Sequence, residues 1–121
     1  MTVVLLSRDL MGASRIEGAA RQAGAQFRMF ANLDAATECC ATQPVALVIV
    51  DLATAGLDVA AVVERLKSES ERSPTIVAFG PHVHVASLEA AKDAGCDEVL
   101  SRGQFMSQLD TIFERYTAAG S

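Results

Sequence analysis

The chain has 121 residues, half of them apolar, with 10 Lys plus Arg against 15 Asp plus Glu and a formal charge of −5. That length suits one domain with one good core, a single unit over residues 1–121, and a second domain is not expected. The acidic balance, with a pI near 4.9, works against phosphate backbones and anionic bilayers, so nucleic acid and membrane are set aside as partners.

In chain order, residues 3–6 (VVLL) form a short, continuous apolar run, as a strand covered on both faces would. Residues 10–23 place Leu10, Ile16, Ala19, Ala20 and Ala23 near one helical face, with Gly24 as the stop. Residues 26–30 (QFRMF) read as a weaker strand. Residues 34–42 read as a helix with Asp34 as N-cap, ending before Gln43 and Pro44. A second strong apolar run, VALVIV at 45–50, drives straight into Asp51. Residues 58–69 carry Val59, Val62, Val63 and Leu66 at helical spacing, and 76–79 (IVAF) form a fourth strand. Residues 86–94 (ASLEAAKDA) lead as a helix into Gly95, 98–101 (EVLS) form a fifth strand, and 104–117 place Phe105, Leu109, Ile112, Phe113 and Tyr116 along one stripe.

Strands alternating with helices predict an α/β fold: a doubly wound parallel sheet with helices on both faces and ligands at the carboxyl ends of the strands. The residues that follow the strands then converge on one crevice. They are Ser7, Arg8 and Asp9, then Asp51, then Phe79 and Gly80, then Ser101 and Arg102.

With the whole length, the five βα units, ALVIVDLATAGLD, AGCDEVLSRG and Pro74 before the fourth strand, the chain resembles a receiver domain of the two-component response regulators. The resemblance implies a flavodoxin-like (CheY-like) sheet of strand order 2-1-3-4-5, with Asp51 in the position of the phosphoacceptor. For an ordinary receiver it also implies Mg²⁺ and a histidine kinase as phosphate source; on the first reading given below, no cofactor is expected. The surroundings of Asp51 depart from the family's pattern. Ser7 and Arg8 stand where two metal-binding acids are usual, and Asp9 comes one place late. Phe79 stands at the hydroxyl position, Arg102 at the lysine, and Gly103 and Ala55 where prolines are usual. Val99 occupies the place of an aromatic switch residue.

Charge gives these departures their weight. Mg²⁺ requires oxygen ligands, and phosphoryl transfer requires cations around the oxygens as charge develops. Arg8 removes a ligand and adds a like charge, so Asp51 and Asp9 are expected to hold metal weakly, and phosphorylation is expected to be weak or lost. Arg8 or Arg102 would instead hydrogen-bond Asp51 as an internal counter-ion.

The first reading is therefore a cytoplasmic, receiver-like signalling protein that is not an enzyme. It would act through a protein partner, either a histidine kinase or a downstream regulator, or through a homodimer on the side of the fourth helix, fifth strand and fifth helix. The chain ends at Ser121, directly after the fifth helix, so no output domain is expected in cis. Two alternatives stay open. One is an ordinary phosphoacceptor at Asp51 with Asp9 supplying the metal ligand. The other is a flavodoxin-like binder of a nucleotide or other small anion through Arg8 and Arg102. His82 and His84 lack a third metal ligand and read as surface or packing residues. Cys39, Cys40 and Cys96 match neither a zinc spacing nor a CxxC pair and read as reduced packing residues.

Overall fold

The structure is a computed structural model that describes residues 1–70 and 72–118; Ser121, where the expected chain end falls, lies outside the described residues. Five strands, β1 (Thr2–Leu6), β2 (Gln26–Phe30), β3 (Leu47–Asp51), β4 (Thr75–Gly80) and β5 (Glu98–Ser101), form one parallel sheet of order β2-β1-β3-β4-β5. The helices are α1 (Leu10–Gln22), α2 (Leu33–Thr42), α3 (Val59–Glu69), α4 (Val85–Ala94), α5 (Arg102–Ser107) and α6 (Leu109–Ala118).

The apolar runs are continuous because both faces of the sheet are covered. Side chains alternate between faces along a strand. Val4, Leu6, Val48, Val50, Ile76 and Ala78 meet α2, α3 and α4 on one side. Val3, Leu5, Leu47, Ile49, Val77 and Phe79 meet α1, α5 and α6 on the other. Asp51 is two residues beyond Ile49, so its side chain belongs to this second side.

Four expectations are corrected. The N-cap of α2 is Asn32, whose Oδ1 accepts the Ala35 amide at 2.9 Å. Asp34 lies in the first turn, two residues after the cap, where an acid suits the helix dipole without capping it. Strand β3 runs 47–51 rather than 45–50, which makes Asp51 its last paired residue, opposite Phe79. In α1 the buried face is Ala13, Ile16 and Ala20, whereas Leu10 is 76% exposed and Ala23 is also exposed. Leu10 opens the helix directly after its cap and points outward.

The helix expected over 104–117 is two helices. Gln108 leaves helical geometry at φ −115° and ψ 15°, and its amide bonds the Phe105 carbonyl at 3.2 Å, one residue tighter than an α-helical bond. The stripe survives the break: Phe105, Leu109, Ile112 and Phe113 are all buried. Among the described residues, no helix is long and apolar enough to cross a membrane.

Candidate functional site

Asp51 is 3% exposed and Ser7 2% exposed, side by side at the carboxyl ends of β3 and β1. The Ser7 hydroxyl donates to Asp51 Oδ2 at 2.7 Å, and the Ala53 amide donates to Oδ1 at 3.0 Å. Ser7 Oγ in turn accepts the Asp9 amide at 3.0 Å. Amide, hydroxyl and carboxylate thus form a short chain of bonds that polarise one another. A buried carboxylate needs such donors, and here neutral groups supply them.

Neither arginine bonds Asp51, which corrects that expectation. The alternation of side chains places Ser7 on the Asp51 side of the sheet and Arg8 on the opposite side. Arg8 is exposed and lies over the loop before α2, where its Nε donates to the Ala31 carbonyl at 3.4 Å. Arg102 is held by Asp9: its Nη2 lies 2.7 Å from Asp9 Oδ2. Asp9 also caps α1, its Oδ1 accepting the Met11 and Gly12 amides at 3.1 and 3.2 Å. The Arg102 hydrogen bond, aided by those amides, holds the Asp9 carboxyl below its ordinary pKa.

Phe79 fills the space beside Asp51. Partner residues on parallel strands face the same side, and Phe79 is the β4 partner of Asp51. Its ring, 2% exposed, stacks on Phe105 with centroids 4.4 Å apart and an interplanar angle of 2°. The Arg102 guanidinium lies 6.0 Å from the Phe79 ring centroid. Gly80 is small for a reason: a Cβ there would lie 3.2 Å from Leu52 Cβ. Ser101 is spent on a capping box, accepting the Gln104 amide at 3.2 Å while Gln104 Oε1 accepts the Ser101 amide at 3.1 Å.

The structure thus joins Asp51 to Ser7, and Asp9 to Arg102, while Arg8, Gly80 and Ser101 serve elsewhere. Two participants were missed in the sequence. In the sequence Phe105 is one of a core stripe, and nothing there announces a ring partner for Phe79. Gly12 is the other: a Cβ there would lie 2.8 Å from Asp9 Oδ2 and 3.0 Å from Arg102 Nη2. A glycine three residues after a capping aspartate was the available signal.

These donors do not fit Mg²⁺, which seeks a nearly octahedral shell of oxygens. Among the described residues Asp51 is the one buried carboxylate, both of its oxygens accept hydrogen bonds, and Asp9 is turned to a guanidinium. Among the described residues, no three His, Cys, Asp or Glu side chains gather as a metal site. His82 and His84 are exposed in the loop before α4, and His84 makes no side-chain cap bond there. The three cysteines are free. Burial pushes the Cys40 thiol up to about 11 and raises that of Cys96, as expected for packing residues.

No protein-family model and no curated protein matches the sequence. Solved structures do match. A response-regulator receiver domain from Bermanella marisrubri superposes with a TM-score of 0.82 at 20% identity, over 96% of this chain and 97% of that one. The receiver domain of a sensor histidine kinase from Pseudomonas aeruginosa, solved with magnesium in its active-site cleft, gives 0.79 at 18% identity over 97% of each. The receiver domain of the Saccharomyces cerevisiae response regulator Ssk1, solved with the phosphotransfer protein Ypd1, gives 0.78 at 14% identity, over 98% and 89%. With its five parallel strands in the order 2-1-3-4-5 and helices on both faces, this chain has the CheY-like, flavodoxin-like fold of the response-regulator receiver domains.

Proposed function

We propose that the protein is a receiver-like signalling module that works by binding another protein, with phosphorylation of Asp51 lost or weak. One observation carries this reading: the surroundings of Asp51 are already filled from within the chain. Ser7 and the Ala53 amide take its oxygens, the stacked Phe79 and Phe105 rings occupy the adjoining space, and Arg102 is committed to Asp9. A phosphoryl group would need that space, cations free to meet its oxygens, and a metal that these donors do not suit. A binding module rather than an enzyme is the matching role. The exposed Leu10 and Met11 on one side of the crevice mouth, and Val83 and Val85 on another, supply apolar contact area for a protein partner. The Ssk1 receiver, which shares this fold, was solved against such a partner.

Incubation with a small phosphodonor and Mg²⁺, followed by intact-mass measurement, tests the reading. The expected result is an unchanged mass, and no shift in melting temperature with Mg²⁺ alone. A phosphorylated product that disappears in Asp51→Asn would overturn it in favour of an ordinary phosphoacceptor.

A further inference from the structure

A second concave site lies on the other side of the sheet end from Asp51. It is a cavity of about 220 Å³ enclosed by the end of β1, the loop between β2 and α2, and the segment from Thr54 to the start of α3. Leu6, Leu33, Leu57, Ala61 and Val62 make most of its wall apolar. Its volume falls below the range of about 300–1,000 Å³ usual for drug-sized ligands, so it suits a short organic fragment and excludes a nucleotide or flavin.

The polar groups at its rim select charge. Helices α2 and α3, of 10 and 11 residues, both begin here, and each presents the positive end of its dipole. Asn32 and Asp58 line the cavity, and each caps its own helix through its Oδ1. Asp58 Oδ1 accepts the Ala60 and Ala61 amides at 3.1 and 3.3 Å, and Asn32 Oδ1 accepts the Ala35 amide. Arg8 also lines the cavity, and among the described residues its one side-chain hydrogen bond is the 3.4 Å contact of Nε with the Ala31 carbonyl, which leaves both terminal nitrogens as donors. Thr54, on the same wall, has a hydroxyl shut away from solvent with no hydrogen-bond partner.

We propose that this cavity binds a small organic monocarboxylate, its short aliphatic or aromatic body against the leucines and its carboxylate on Arg8. Binding here is independent of any chemistry at Asp51. It also replaces the expected anion site in the crevice, because Arg102 is occupied by Asp9 and Arg8 faces away from Asp51.

Amide chemical shifts of the full chain, followed on titration with hexanoate and with benzoate, test the proposal, with hexanol and inorganic phosphate as comparison arms. Saturable shifts centred on Asn32, Leu33, Thr54 and Gly56 are expected with at least one acid. The affinity should fall roughly tenfold or more in Arg8→Gln, the worth of one charge-assisted hydrogen bond. It should be unchanged in Arg102→Gln and abolished when Ala61→Leu fills the cavity. No saturable shift with either acid overturns the proposal. So does equal affinity in Arg8→Gln, or binding of hexanol or phosphate as strong as that of the acid. Arg8 is exposed, so Arg8→Gln remains an interpretable variant even where Ala61→Leu fails to fold.

Discussion

Asp9 shows how one side chain takes a role that residue type alone does not announce. It caps α1 with one oxygen and binds Arg102 with the other, so a single carboxylate ties the start of α1 to the start of α5. Because its folded pKa is lowered, the fold gains from its ionised form. That contribution is complete above the ordinary carboxylate range and is lost as pH falls through the lowered value. An NMR titration of the Asp9 side-chain carbon should place its midpoint below the usual range. In Arg102→Gln the midpoint should move upward, because the largest cause of the depression is removed. Gly12→Ala should move it the same way, since the new Cβ meets Asp9 Oδ2 at 2.8 Å. An unchanged midpoint in Arg102→Gln would falsify the coupling. The pair joins residues 93 positions apart, so its choice of Asp9 over Asp51 was beyond any local pattern.

Elements end where the backbone demands it, and two glycines with opposite roles measure that demand. Gly95 ends α4 in the left-handed region at φ +96°, and the Cys96 amide returns to the Ala91 carbonyl at 3.2 Å, closing the helix. Gly18 lies inside α1, with open space where a Cβ would stand. Gly95→Ala is expected to destabilise by roughly 1–2 kcal/mol, the cost of a Cβ in the left-handed region. Gly18→Ala is expected to stabilise by roughly 0.5–1 kcal/mol by restricting the unfolded chain and favouring helix. Urea denaturation of both variants checks the pair, and the same sign for both would contradict the assignment. Gly95 was legible in the sequence as a helix stop. The break at Gln108 was not, because a one-residue departure leaves the apolar stripe of Phe105, Leu109, Ile112 and Phe113 in place.

For the whole molecule, we propose the side formed by α4, β5 and the α5–α6 segment as the place for a second copy. Strand β5 is a sheet edge of four half-buried residues, and Val85 at the start of α4 is 61% exposed. Each copy carries a charge of −5, so self-association through this face should strengthen as salt screens the repulsion. Sedimentation velocity at low and high salt should show a dimer that grows with ionic strength; a monomer at every concentration and salt would remove the face as a homodimer surface. The sequence by itself determined the sheet and its order of elements. Strands buried on both faces must be continuous apolar runs, and helices between them must show one apolar stripe, so composition and period carry that information locally. The position of Asp51 followed, because a strand end in a parallel sheet is a place in the fold as well as in the chain. Only the tertiary structure decided what meets there. Alternation across the sheet turned Arg8 away, a pairing over 93 residues took Arg102, and two rings from β4 and α5 closed the space beside Asp51. Those outcomes depend on side-chain direction and reach between distant segments, which no local pattern encodes.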